Sequence, residues 1–222
     1  ATFEGARAFQ MEWLATHGEQ LRGRVAARRV REGHGDLRLE HVYFTSGEPA
    51  PDPVVIDCLE FSERLRCGDV AADAAFLAME LDAAGRLDLA DGFLARLAEA
   101  SDDFGMYEVI DFYSAYRAWV RGKVAALLAV DPAAPPAMRA AKRREAQDRF
   151  ALALRYAHRP TARTFALAVA GLPGSGKSTL AAALGETLAM PVVSSDLTRK
   201  VLAGLAPTAR GPAALYSQAN RD

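Results

Sequence analysis

The chain has 222 residues, half of them hydrophobic and a quarter charged, and its formal net charge is −1. That is enough apolar material to bury a core without staples, and the near balance of charge excludes a global basic field aimed at nucleic acid or an anionic membrane. The two cysteines, Cys58 and Cys67, are too few for a disulfide framework and do not have zinc-site spacing. The sequence has no apolar run long enough to span a bilayer and no signal peptide, so the cytoplasm is the expected location and no membrane partner is expected.

Residues 3–27 predict one helix, with Phe9, Met11, Trp13, Leu14 and Leu21 on its apolar face. A loop follows at Gly33-His34-Gly35-Asp36. Val42-Tyr43-Phe44 and Val54-Val55-Ile56 read as short strands around a turn over 47–53, which suggests a hairpin. From Asp69 the apolar spacing turns helical through Val70, Ala74, Phe76, Leu77 and Leu81, and Gly85 breaks it. Further helices are predicted over Leu87–Ala100, Tyr107–Val130 and Ala137–Tyr156, separated by Asp131-Pro132 and Pro135-Pro136. Tyr113, Arg117 and Arg121 share one stripe of the helix over Tyr107–Val130, an ordinary packed and solvated face or the lining of an acceptor pocket. The basic stretch Arg139–Arg149 reads as a solvated linker helix rather than an RNA contact. Cys58 reads as a small buried hydrophobe.

Near residue 160 the composition changes. Phe165–Ala170 is a continuous apolar run, as a buried parallel strand requires. It leads into Gly171-Leu172-Pro173-Gly174-Ser175-Gly176-Lys177-Ser178, the pattern G-x-x-x-x-G-K-[ST]. A helix over Thr179–Ala189 and a strand at Pro191-Val192-Val193 complete the context. In such a loop the glycines let backbone N–H groups turn on phosphate oxygens at a helix N-terminus. Lys177 then reaches the β- and γ-phosphates of ATP, and the Ser178 hydroxyl binds Mg²⁺, with Thr179 next into the helix. After the second strand come Asp196 and Arg199, where Ser195 or Asp196 could equally be a helix N-cap.

With that segment the chain resembles the small-molecule P-loop kinases, the group of gluconate, shikimate and chloramphenicol kinases. The resemblance implies that Asp196 faces the acceptor hydroxyl as the base and that Arg199 helps to hold the acceptor. It also places a further carboxylate and a lid arginine beyond Asp222. Only about 45 residues follow the loop, fewer than a P-loop domain uses, so the chain is expected to be part of a longer protein.

The first half carries a second signature. His34-Gly35-Asp36-Leu37, with Ile56-Asp57-Cys58-Leu59-Glu60-Phe61 and Gly68-Asp69-Val70-Ala71, resembles the aminoglycoside phosphotransferase-like family, and more closely the bacterial fusions of such a domain with a C-terminal P-loop kinase. The resemblance implies Asp36 as the base that accepts the hydroxyl proton and Asp57 as the Mg²⁺ ligand. Read as residues alone, Asp36 could be a turn residue and Asp57 a strand-end cap. The pattern departs from the family at His41, which stands where a metal-binding Asn is expected. Neutral imidazole is a poorer Mg²⁺ ligand than an amide oxygen.

The fold class expected is α/β, mostly helical. Residues 1–133 form the helical C-terminal lobe of a phosphotransferase-like domain, 134–160 a linker helix, and 161–222 the first βαβ part of a P-loop kinase. The expected function is ATP-dependent transfer to a small-molecule acceptor with a hydroxyl group. The rival is an ATP-binding regulatory switch with a degenerate first half.

Overall fold

The computed structural model describes residues 2–45, 52–158, 166–172 and 174–206, with 209 and 212. The turn expected over 47–53 falls largely outside the described residues, as do the join around residue 160 and Pro173 of the loop.

The N-terminal helical stretch is two helices, α1 (Thr2–Thr16) and α2 (Gly18–Ala26). His17 leaves the helical region (φ −116°, ψ 20°), its ring stacks on Trp13, and Gly18 is a poor residue to continue through. Trp13 is buried with Ala6 and Gln10, one stripe of α1, whereas Met11 and Leu14 are exposed. The apolar face expected from hydrophobicity alone is therefore rotated, because the small Ala6 marks the close approach.

Among the described residues, four three-residue strands make two antiparallel pairs. The expected hairpin forms from β2 (Val42–Phe44) and β3 (Pro53–Val55), with Val42 opposite Val55. A second pair joins β1 (Val30–Glu32) to β4 (Cys67–Asp69). Neither Val-Arg-Glu nor Cys-Gly-Asp carries an alternating pattern, so this pair has no sequence signal. A single turn, α3 (Glu63–Arg66), precedes β4.

The helices α4 (Val70–Ala83), α5 (Leu87–Ser101), α6 (Ile110–Ala129) and α7 (Pro136–Ala157) build the body. On α4, Ala71, Ala74, Ala75 and Ala78 are buried, and side chains that small let neighbouring helices approach. One apolar cluster joins Trp13 to α4, α5 and the start of α6. Another joins Ala6, Phe76, Met79, Ala115 and Ala118 to Leu152, Ala153 and Tyr156 of α7. The helix expected as a linker thus contributes the end beyond its basic stretch to the core. Its Phe150 lies so close to Gly122 that a Cβ there would stand 2.8 Å from the ring.

A buried ion cluster ties α2 to this body. Arg24 donates to both carboxylate oxygens of Asp69, at 2.5 and 2.7 Å, and to both of Asp103, at 3.0 and 2.7 Å. All three residues are buried. Burial opposes the Arg24 charge, but the hydrogen bonds it donates to Asp69 and Asp103, with the charges of those carboxylates, outweigh it and raise its pKa above the ordinary value. Asp69 also caps α4 by accepting from the Ala71 N–H at 2.9 Å.

Beyond α7 the described residues hold α8 (Lys177–Leu188) and α9 (Ser195–Leu202). The flanking strands expected over 165–170 and 191–193 do not form among the described residues. A parallel strand gains its ladder only from a neighbour, and neither segment pairs with the other. The fold is mostly helical with few strands, and the βαβ arrangement is absent from the described residues.

Candidate functional site

The loop between β1 and β2 is held from three directions. On α4, the Asp73 carboxylate accepts from the N–H of His34 at 2.8 Å and from that of Gly35 at 3.0 Å. Gly35 has φ +79°, and a Cβ there would lie 2.8 Å from Leu59 Cδ1 and 3.1 Å from the Leu65 carbonyl. The His34 ring donates from Nε2 to the Ile56 carbonyl (2.8 Å), and its Nδ1 accepts from the Asp36 N–H (3.3 Å). Leu59 N–H donates to the His34 carbonyl at 3.0 Å. Segment 56–59 is thereby sewn to segment 34–36, and both carboxylates line one open cleft with His41, Tyr43 and Phe61.

His41 stands between them, only 6% exposed. Its Nδ1 lies 3.0 Å from the backbone carbonyl of Asp36. A carbonyl can only accept, so Nδ1 carries the hydrogen. The Nε2 of His41 faces Asp57 Oδ2 at 3.3 Å, and Nδ1 is 4.0 Å from Asp36 Oδ2. The Ile56 N–H donates to the His41 carbonyl at 3.0 Å, which holds Asp57 across from the imidazole. Asp57 has φ +63°, a left-handed conformation that Asp tolerates better than most residues. Arg38 brings a guanidinium Nε to 3.6 Å from Asp36 Oδ2 and also pairs with Glu40.

The stripe on α6 faces α4 rather than the cleft. Tyr113 donates to Asp69 Oδ2 at 3.2 Å, Arg117 lies 3.6 Å from Asp73 and over the Phe76 ring, and Arg121 lies 3.4 Å from Glu80. Burial pulls the Arg117 pKa down, against the pull of Asp73. Cys58 is exposed in the cleft rather than buried. Asp73 and Arg38 are the residues that sequence reasoning missed. Asp73 had a weak signal, an acid one turn after Asp69 in the first turn of α4.

The P-loop is shaped locally. Gly174 and Gly176 have φ +78° and +83°, Ser175 N–H donates to the Leu172 carbonyl at 3.2 Å, and Gly176 begins α8. The Lys177 ammonium lies back over the loop, 2.5 Å from the same carbonyl. Ser178 and Thr179 are exposed in the first turn of α8. Asp196 is in the first turn of α9 and pairs with Lys200 at 2.8 Å. The cap of that helix is neither Ser195 nor Asp196 but Ser194, which accepts from the Leu197 N–H. Arg199 sits in the last turn of α9.

Among the described residues no group of three or more His, Cys, Asp or Glu is placed to hold a metal ion. In the cleft, a carboxylate oxygen of Asp57 is paired with an imidazole nitrogen of His41. That pair does not match the all-oxygen preference of Mg²⁺.

Comparison with known proteins bears on the C-terminal part. Residues 167–222 match the family model described as an AAA domain, which supports a P-loop, kinase-like part there. Over 202 residues, or 89% of the chain, the sequence is 39% identical to uncharacterized proteins of Mycobacterium tuberculosis and Mycobacterium bovis. The chain spans 38% of the length of those relatives. No solved structure matches the chain. No helix among the described residues is long and apolar enough to cross a membrane.

Proposed function

We propose that the protein transfers the γ-phosphate of ATP to a hydroxyl group of a small molecule, with no nucleic-acid or membrane partner and a cytoplasmic location. The observation that carries this reading is the P-loop: two left-handed glycines opening directly into α8, with Lys177 folded over the loop. Phosphate oxygens would meet the backbone N–H groups and the positive end of the helix. Lys177 would leave the Leu172 carbonyl for the β- and γ-phosphates, and Ser178 would offer a hard hydroxyl oxygen to Mg²⁺. Asp196 is the candidate base of this half and Arg199 the candidate acceptor-holding residue.

The first half supplies a second candidate centre, read through its resemblance to the aminoglycoside phosphotransferases. The acceptor oxygen attacks the γ-phosphorus, the bond to the ADP oxygen breaks, and the acceptor proton passes to the Asp36 carboxylate. Arg38 keeps a cation beside that carboxylate. Asp73 holds the loop in register through the backbone of His34 and Gly35. Asp57 is the candidate metal-holding carboxylate.

His41 favours a second reading, in which the first half no longer transfers phosphate and the P-loop acts as an ATP-driven switch. Phosphate transfer by the full-length protein to a panel of sugars and aminoglycosides separates the two. Lys177→Ala is expected to abolish turnover or weaken ATP binding, and unchanged affinity and rate would overturn the nucleotide assignment. Asp36→Asn is expected to slow transfer by the first half by about 10²–10⁴-fold, the usual span for a general base. A full-rate variant would confine activity to the P-loop half. Tight ATP binding without transfer to any acceptor supports the switch.

A further inference from the structure

We propose that α5 is the docking surface for the P-loop half, with Glu99 as its contact, and that ATP binding at the loop is thereby felt by the helical body. The coupling to ATP rests on the reading of the P-loop as a nucleotide site. The docking itself does not.

The contact joins residues far apart in the chain. The Glu99 carboxylate, on α5, accepts from the backbone N–H of Val192 at 2.7 Å. A hydrogen bond to a carboxylate is short and roughly twice as strong as a neutral one. The Glu99 side chain is 23% exposed, and its other oxygen accepts from Arg96 at 3.1 Å, so the carboxylate is held on both sides. In a parallel sheet the N–H of Val192 would go to a neighbouring strand. No strand pairs with residues 191–193 among the described residues, and the carboxylate takes that place.

Val192 is gripped from a second direction. At Gly185 of α8 a Cβ would stand 2.6 Å from Val192 Cγ2 and 2.9 Å from the Met190 carbonyl. The absent side chain is what lets the segment lie against the helix. Ala189 turns the chain with φ +50°, and the Met190 N–H donates back to the Gly185 carbonyl at 2.9 Å. Val192 therefore joins three elements. It packs on α8, which begins at Lys177 of the loop. It bonds to α5, which belongs to the apolar cluster of the body. It runs into Ser194, the cap of α9, where Asp196 and Arg199 stand. The body thus holds the segment that connects the phosphate end of this half to its acceptor-side helix. If ATP binds the docked arrangement more tightly, docking is favoured by the same factor, because the coupling is reciprocal.

Two measurements on the whole chain test this. Amide exchange at Val192 is read by NMR without nucleotide. Glu99→Ala should speed it at least about 10-fold, as the loss of a hydrogen bond to a charged acceptor requires. Glu99→Gln keeps an acceptor oxygen and should speed it less. Equal exchange in the parent and in Glu99→Ala, with the amides of α5 protected in both, overturns the docking. The second measurement is urea unfolding followed by tryptophan fluorescence. The chain has two tryptophans, Trp13 on α1 and Trp119 on α6, so the signal reports the body. ATP with Mg²⁺, at about 100 times the dissociation constant found by calorimetry, should raise the folding constant of the parent body by up to about 100-fold. Glu99→Ala should still bind ATP and lose most of that rise. ATP that binds the parent without moving the tryptophan midpoint overturns the coupling. ATP that does not bind at all sinks the nucleotide reading and the coupling with it, while the exchange measurement still decides the docking.

Discussion

The two candidate sites of this chain are shaped in different ways. Around Asp36 and Asp57, the holding contacts come from far along the sequence: Asp73 on Gly35, Ile56 on His34, Leu59 on His34 and Ile56 on His41. Around Lys177, the holding contacts are neighbours: Ser175 and Lys177 on Leu172, and Leu180 on Gly176. The first site exists only when the body has folded around it. The second is a property of a dozen consecutive residues, and it is correspondingly open, with Leu172 79% exposed. A phosphate cradle built from backbone N–H groups can be carried by a local motif. A cleft that brings Asp36 and Asp57 together needs side chains from separate segments, so it depends on tertiary closure.

The sharpest way to break this comparison is to loosen the body. Asp69→Asn keeps a capping side chain on Ala71 but removes one of the two anions that neutralise the buried Arg24. Breaking a buried pair costs about 3–5 kcal/mol. With Asp103 still in place, the lower end, about 3 kcal/mol, is expected in urea unfolding. Lys177→Ala should move the same midpoint by no more than about 0.5 kcal/mol, the ordinary range for a surface change. An Asp69→Asn protein as stable as its parent would mean that the cluster does not close the body.

Asp73→Asn sharpens the comparison at the site itself. The amide can still accept one backbone N–H, but it leaves Arg117 beside a neutral group, and Arg117 is largely buried. A cost of about 1–3 kcal/mol is expected. If the carboxylate positions the Asp36 loop, transfer by the first half should fall by up to about 10²-fold in kcat, the effect of a small misplacement. The dissociation constant for ATP at the P-loop should not change. Equal losses in the two halves would show that Asp73 acts only on global stability.

The same distinction explains what could be read in the sequence. The P-loop was legible in full as a motif because its geometry follows from glycine, lysine and serine at fixed spacing. The hairpin of β2 and β3 was legible from Val42-Tyr43-Phe44 and Val54-Val55-Ile56, aromatic and β-branched residues on either side of a turn. The β1–β4 pair was not, since Val30–Glu32 and Cys67–Asp69 acquire strand character only by meeting. Asp36 and Asp57 could be named, but the residue that joins them had to be seen: His41 stood out in the sequence as a departure, and only the fold shows its Nδ1 spent on Asp36 and its Nε2 turned to Asp57. Charge patterning marked the basic first part of α7 as solvated, and it is the apolar far end of that helix, with Leu152, Ala153 and Tyr156, that is buried. The strands expected beside the P-loop failed for the opposite reason, a strong local signal with no partner among the described residues.

The finest test applies one substitution to both sites. Gly35 and Gly176 have nearly the same backbone, φ +79° and +83°. An alanine in the left-handed region costs about 1–2 kcal/mol wherever it is placed. The surroundings differ. A Cβ at Gly176 meets nothing within 4 Å, whereas at Gly35 it meets Leu59 Cδ1 at 2.8 Å and the Leu65 carbonyl at 3.1 Å. Gly176→Ala should therefore cost only the backbone term, visible as faster amide exchange in the first turn of α8, with the global midpoint unmoved. ATP affinity should weaken by roughly 10-fold, since about 1.4 kcal/mol corresponds to that factor. Gly35→Ala should cost about 1–3 kcal/mol more, the usual range for overpacking, and should move the global midpoint, because the backbone carbonyl of Leu65 cannot swing aside as a side chain can. If the two substitutions cost the same in global unfolding, the loop around Asp36 is as free of the body as the P-loop is, and the contrast between a locally built site and a tertiary one fails.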